Sequence, residues 1–137
     1  MATKSISVNR AAVALLALCA GTAHAIEEQE QRARIEFETT KFEHQIEYSE
    51  LLFKDPALDD YLQEVTDRMF PDMKGKLHVR TITDPNFNAF AVSTGGIYFN
   101  TGTLLRLDDE AQLASVLGHE GTHVTADHMY RSVKTAK

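Results

Sequence analysis

The chain has 137 residues, a formal net charge of −6, one cysteine and no tryptophan. This length and ordinary hydrophobic content suit one small domain, and the acidic balance provides no basic surface of the kind that binds nucleic acid. No segment reaches the roughly 20 consecutive apolar residues of a membrane-spanning helix.

The first 25 residues have the pattern of an export signal. Lys4 and Arg10 give a basic start, residues 11–21 are apolar, and Ala23-His24-Ala25 is a small-residue exit site. We predict a secretory signal peptide at residues 1–25 and an exported, periplasmic or secreted, mature chain from Ile26. The alternatives are a short membrane anchor and a lipoprotein signal ending at Cys19. Cleavage after Ala25 would change the charge from −6 to −8 and remove the only cysteine.

Two helices are predicted next. Residues 26–53 are rich in charge, and their apolar residues recur at intervals of seven, four and seven, which predicts a long helix with one narrow apolar stripe made of Ile35, Phe42, Ile46 and Phe53. Asp55-Pro56 interrupts this pattern, and Pro56 suits the first turn of a second helix over residues 57–70.

An extended region follows. Residues 77–83, 88–92 and 97–100 are β-prone and are separated by turn residues at Asp84-Pro85-Asn86 and Gly95-Gly96. We expect a small, mostly antiparallel sheet in which His78 is a structural residue. Two helices, this sheet and a further long helix make the predicted fold class α+β.

The further helix contains the sequence His-Glu-x-x-His at His119, Glu120 and His123. Acidic residues at its start and apolar residues at helical spacing, Leu113, Val116, Leu117 and Val124, predict the helix. The two histidines lie about 40° apart on the helix wheel and one turn apart along the axis, so both can bind one metal ion. Glu120, about 100° from His119, is placed to act on a metal-bound water as general base.

Two other residues of this helix qualify the prediction. Gly121 costs roughly 1 kcal/mol inside a helix relative to alanine, unless it permits close packing. His128 lies about 180° from His119, and we predict a structural role for it instead of metal ligation. Because a bare match to this short motif also occurs by chance on polar helix faces, the motif alone leaves a metal-free reading open.

Three blocks in the second half of the chain resemble a known zinc endopeptidase family. That family contains the CAAX prenyl endopeptidase, the heat-shock protease HtpX, the mitochondrial protease OMA and the periplasmic β-barrel-assembly-enhancing protease. The blocks are Asn88-Ala89-Phe90-Ala91, Gly95-Gly96-Ile97-Tyr98-Phe99-Asn100-Thr101-Gly102, and Leu117-Gly118-His119-Glu120-Gly121-Thr122-His123-Val124.

This resemblance implies a gluzincin with one Zn²⁺ per chain. His119 and His123 would be ligands, Glu120 the general base, and a glutamate from a later helix the third protein ligand. The strand of Asn88, Ala89, Phe90 and Ala91 would hold an extended protein or peptide substrate by strand addition, although a purely structural strand is the alternative. The resemblance also implies cell-envelope substrates and peripheral association with membrane-assembly machinery.

The sequence departs from the family pattern after His128, because residues 129–137 contain no acidic residue. We therefore expect residues 26–137 to be the N-terminal portion of a zinc metallopeptidase domain, truncated before the third ligand, with impaired activity. The alternatives are a non-catalytic exported protein-binding module with a vestigial zinc motif, and a protein that stores or senses zinc.

Overall fold

The computed structural model describes residues 10–125 of the chain. The chain divides into two compact units, Met1–Arg34 and Ile35–Lys137. Helix α1 (Arg10–Glu47) supplies the described part of the first unit and the start of the second. The predicted signal peptide lies partly outside the described residues, and from Arg10 onward its backbone is helical. Within residues 10–125, no helix is both long enough and apolar enough to cross a membrane.

Helix α1 ends at Glu47, six residues earlier than predicted. The Ser49 hydroxyl donates to the Ile46 carbonyl at 2.7 Å, and the chain then runs beside strand β1 (His78–Ile82). There the Phe53 amide donates to the Thr81 carbonyl at 2.9 Å, and the Leu51 carbonyl accepts from the Thr83 amide. The prediction that the helix continues to Phe53 is therefore wrong, because Leu51 and Phe53 find backbone partners beside the sheet.

Helix α2 (Pro56–Met69) lies within one residue of its predicted bounds. The Asp55 side chain accepts hydrogen bonds from the amides of Ala57 and Leu58 at 3.1 and 3.2 Å, which satisfies two of the free amides at the helix start. The helix ends at Phe70, where Pro71 begins a short 3-10 turn. The cap and the proline that the sequence shows thus fix both ends of α2.

The three strands form one mixed sheet in the order β1-β3-β2. Strand β2 (Ala89–Ala91) pairs antiparallel with β3 (Gly96–Asn100), whereas β1 pairs parallel with β3. The α+β class is confirmed, and the expectation of a mostly antiparallel sheet is corrected at the β1–β3 pair.

The connection between β1 and β2 explains this pairing. Residues 83–88 do not form a tight hairpin but cross the end of β3, where short helix α3 (Thr101–Leu104) begins. The Thr101 hydroxyl donates to the Asp84 carbonyl at 2.9 Å, and the Thr103 hydroxyl donates to the Asn88 carbonyl at 2.7 Å. A Cβ atom on Gly102 would lie 2.1 Å from the Pro85 carbonyl oxygen, so only glycine allows this crossing.

The two faces of the sheet bury different partners. One face packs against α2 and helix α4 (Glu110–Thr125), and this core contains the buried residues Leu62, Val65, Leu77, Val79, Ile97, Phe99, Leu113 and Leu117. On the other face Ile46 of α1 is buried together with Val92 and Tyr98. Fully burying a leucine or phenylalanine contributes about 1.5–3 kcal/mol, so the first face is the main source of stability.

Candidate active site

The start of α4 is fixed by its own acidic and amide side chains. The Asp109 carboxylate accepts from the Gln112 amide at 2.8 Å, and the Gln112 side-chain oxygen accepts from the Asp108 amide at 3.0 Å. This reciprocal capping satisfies two backbone donors. Because Leu113 and Leu117 are buried, they fix the rotation of the helix and place His119 and His123 on its exposed side.

The structure brings the two motif histidines into direct contact. Their Nε2 atoms are 3.2 Å apart, with ring centroids 4.8 Å apart and ring planes at 84°. Two neutral imidazoles can make this contact when one Nε2 donates and the other accepts. Both Nε2 atoms therefore lie beside the same point in space.

This arrangement fits a metal ion bound by both rings. Zinc–nitrogen bonds of about 2.0–2.1 Å at tetrahedral angles place two ligand nitrogens about 3.3–3.4 Å apart. The observed separation of 3.2 Å is close to that value. Within residues 10–125, however, no cluster of three histidine, cysteine, aspartate or glutamate side chains could hold a metal ion. His128 and its predicted structural role lie outside the described residues.

Glu120 is adjacent to His119 in the chain and is half-buried. Its place in the helix separates it by about 100° from His119, so its carboxylate lies to one side of the histidine pair. The Nε2–Nε2 contact joins His119 and His123 and does not include Glu120.

The helix turn that carries the motif packs closely against the end of α2. A Cβ atom on Gly121 would lie 2.4 Å from Cζ and 2.6 Å from Cε2 of Phe70. One turn earlier, a Cβ atom on Gly118 would lie 3.4 Å from Cε of Met69. Gly121 therefore permits close packing between α4 and the end of α2, which is the predicted reason for a glycine inside this helix. The Phe70 ring occupies the space that a side chain at position 121 would fill.

Strand β2 pairs only with β3 in the described sheet, so its other side is an edge. The Val92 amide donates to the Gly96 carbonyl, and the Asn88 carbonyl accepts from the Asn100 amide. Because antiparallel pairing alternates, the backbone groups of Ala89 and Ala91 point away from β3, towards the edge.

The four predicted substrate-binding residues are therefore not equivalent. Ala89 and Ala91 offer their backbone groups at the edge, and their small side chains pack on the core that includes α4. The Asn88 carbonyl is already bonded to Asn100 and Thr103. The Phe90 side chain stacks on Tyr98 at a centroid distance of 5.2 Å, on the opposite face of the sheet.

Sequence reasoning missed a second polar cluster, on the α1 face of the sheet. The Glu43 carboxylate accepts from Thr94 Oγ1 at 2.6 Å, His78 Nε2 at 3.0 Å and the Tyr98 hydroxyl at 3.1 Å. A Cβ atom on Gly96 would lie 2.3 Å from the Glu43 carboxylate, so a side chain at position 96 would displace that carboxylate. In the sequence, Glu43 directly follows Phe42, a residue of the apolar stripe, and this position could have indicated the polar cluster.

Burial, and then the negative charge of Glu43 and its hydrogen bond, raises the pKa of the Tyr98 hydroxyl. A cavity of about 230 Å³ lies beside this cluster, lined also by Arg80 and Glu47. The cluster holds α1 against the sheet, and it lies on the face opposite to α4.

Comparison with known proteins identifies the class. Residues 54–137 match the model of peptidase family M48. This segment is more than half of the chain, which therefore belongs to peptidase family M48, a family of metallopeptidases.

Similar proteins include β-barrel assembly-enhancing proteases of several bacteria. The chain is 35% identical over 86 residues to the putative enzyme of Vibrio cholerae, covering 61% of the chain and 18% of that protein. It is 32% identical over 93 residues to the Escherichia coli K12 protein, covering 66% of the chain and 19% of that protein. The Yersinia pestis protein is 30% identical over the same length. The alignments thus cover less than a fifth of these relatives.

Proposed function

We propose that the chain is a zinc-dependent endopeptidase domain in which His119 and His123 bind Zn²⁺ and Glu120 is the general base. The observation that carries this proposal is the 3.2 Å contact between the two Nε2 atoms, because it places two imidazole nitrogens at the separation of two ligands of one zinc ion. Zinc bound there would polarise the substrate carbonyl and lower the pKa of a bound water towards neutrality.

Residues of the chain would carry out proton transfer and substrate binding. Glu120 would accept a proton from the attacking water as the C–N bond of the peptide is hydrolysed, and would then deliver that proton to the leaving amine. The exposed backbone groups of Ala89 and Ala91 would pair with an extended substrate at the β2 edge. Since α4 packs on the same strand, a peptide bonded there runs alongside the histidine helix.

A catalytic zinc site normally has three protein ligands. The family resemblance implies a glutamate from a later helix, and residues 10–125 bring no third ligand to the histidine pair. Two histidines and waters would bind zinc less tightly than a three-ligand site, because ligand number sets affinity.

The proposed location of the chain rests on its N-terminal sequence, and its proposed substrates rest on the names of the relatives. The basic start, apolar run and Ala23-His24-Ala25 exit favour export to the periplasm. The relatives carry names that connect them with β-barrel assembly. We propose that this chain acts on cell-envelope proteins, in peripheral association with the machinery that assembles outer-membrane proteins.

The experiment compares wild type with Glu120→Gln for zinc content and for cleavage of unfolded casein. We expect both proteins to hold zinc and only wild type to cleave, because the amide cannot accept the proton. Equal cleavage by both would contradict the role of Glu120. Weak zinc uptake and no cleavage in either would favour the non-catalytic protein-binding module, which the two-ligand site also permits. Tight zinc uptake without cleavage in either would favour zinc storage or sensing.

A further inference from the structure

The end of α2 supports the turn of α4 that carries the two histidines. Phe70 caps α2, with its amide donating to the Thr66 carbonyl at 2.9 Å. Pro71 then prevents the helix from continuing. The hydrogen bond of the Phe70 amide and the fixed backbone angle of Pro71 together restrict the backbone at Phe70.

The Phe70 ring packs on the core that includes Leu113 and Leu117, and it also lies against the backbone of α4 at Gly121. Three ring atoms of Phe70 lie within 3.1 Å of the position that a Gly121 Cβ would occupy. Gly121 is buried and lies directly after Glu120 and two residues before His123. A rigid aromatic ring against a bare backbone allows little rotation or axial shift of that turn.

We propose that Phe70 is a positioning residue for the metal site. Its ring fixes the rotation and height of the turn that contains Gly121, and this keeps the Nε2 atoms of His119 and His123 directed at one point. The inference rests on the proposed zinc function and adds to it a residue that touches neither the metal ion nor the substrate.

The same pair of helices provides a matched control. At the start of α4, the Glu110 carboxylate accepts from Arg68 at 2.7 Å and from the Tyr61 hydroxyl at 3.0 Å. This contact also joins α2 to α4, but it lies about 13 Å from His119 at 1.5 Å per residue. Arg68→Ala therefore perturbs the helix pair without touching the turn of the histidines.

The test measures zinc affinity of the full chain by competition with a chromophoric chelator, and measures thermal unfolding in parallel. We expect Phe70→Ala to weaken zinc binding by about 10–100-fold, the usual loss when a supporting contact of a metal site is removed. Phe70→Leu should show a smaller loss, and Arg68→Ala should bind zinc as wild type does. The visible spectrum of bound Co²⁺ should change in Phe70→Ala and stay unchanged in Arg68→Ala.

A double variant separates positioning from general destabilisation. In Phe70→Ala with Gly121→Ala, the new methyl group enters the space that the ring has left, so zinc affinity should exceed that of Phe70→Ala alone. Gly121→Ala alone should lose affinity because its methyl group meets the ring. Such opposite effects of one substitution are specific for this contact.

Three outcomes would overturn the inference. Wild-type zinc affinity in folded Phe70→Ala would refute the role of Phe70 and leave the proposed function intact. If Phe70→Ala does not fold, unchanged affinity and unchanged Co²⁺ spectrum in Phe70→Leu would refute it equally. No zinc uptake by wild type would overturn the proposed function together with this inference.

Discussion

Gly118 and Gly121 lie one turn apart in α4, yet their surroundings differ. A methyl group on Gly121 would meet the Phe70 ring at 2.4 Å, whereas one on Gly118 would reach only the flexible end of Met69 at 3.4 Å. We predict that Gly121→Ala lowers the free energy of unfolding by about 1–3 kcal/mol through overpacking. Gly118→Ala should raise it by up to about 1 kcal/mol, because alanine favours the helix. Urea denaturation measures both, and stabilisation by Gly121→Ala would contradict the described contact.

Tyr98 should make stability depend on alkaline pH. Burial and the Glu43 charge raise the pKa of its hydroxyl in the folded chain above that in the unfolded chain, which is about 10. The stabilising contribution is therefore complete below about pH 10 and is lost above it, as the unfolded chain releases the proton first.

Denaturant titrations at a series of alkaline pH values test this prediction. Tyr98→Phe should show a shallower decline of the free energy of unfolding above about pH 10 than wild type. Glu43→Gln should lower the pKa of Tyr98 by removing the adjacent negative charge, which an absorbance titration of tyrosinate can follow. Identical profiles for wild type and Tyr98→Phe would show that the hydroxyl is not buried beside Glu43.

At the level of single residues, sequence reasoning found what is local and missed what is distant. His119 and His123 are four residues apart in one helix, so helical geometry alone predicted that they lie on one side of the helix, one turn apart. Glu43 and Tyr98 are 55 residues apart, and no periodic pattern in the sequence predicts a contact over that separation. Gly121 was recognised as costly in a helix, but the ring that explains it comes from α2.

At the level of elements, α1 supports the strand proposed to bind substrate. The Phe90 ring of β2 lies 5.2 Å from the ring of Tyr98 and 6.1 Å from that of Phe42. Glu43 bonds Tyr98 from the same helix, and Thr39 bonds Ser93 just after β2 at 2.9 Å. The last turns of α1 therefore hold the edge strand in place from the side opposite to α4.

Removing the Glu43 carboxylate should destabilise the packing of both α1 and strand β2. Glu43→Ala removes the acceptor of three hydrogen bonds, one of them from the buried Tyr98, and we expect it to lower the free energy of unfolding by about 1–3 kcal/mol. Amide hydrogen exchange of Phe90 should accelerate. The matched control is Glu38→Ala, an exposed carboxylate of the same helix, which should change stability by less than about 0.5 kcal/mol. Equal effects of the two substitutions would show that Glu43 does not hold α1 to the sheet.

The elements themselves were largely predictable, and their pairing was not. The cap at Asp55 and the break at Pro71 are local signals, so α2 was placed within one residue. The end of α1 was misplaced because residues 48–53 gain backbone partners from β1, a segment about 30 residues further along the chain. The parallel β1–β3 pair likewise depends on Thr101 and Thr103, whose hydroxyls hold the crossing connection.

At the level of the molecule, the two faces of one small sheet make different contacts. The α2–α4 face contains most of the buried core and presents the histidine helix beside the β2 edge. The other face holds α1 through a polar cluster and an aromatic stack. The match to peptidase family M48 covers residues 54–137, which include α2, the whole sheet and α4 but not α1.

The central claim is that His119 and His123 bind one zinc ion, and metal analysis after equilibrium dialysis against zinc tests it most directly. We predict about one zinc per chain in wild type and in Glu120→Gln, and a near-complete loss in His119→Ala and in His123→Ala, since a single imidazole cannot retain the ion. Zinc-free wild type, or zinc retained in both histidine variants, would contradict the account.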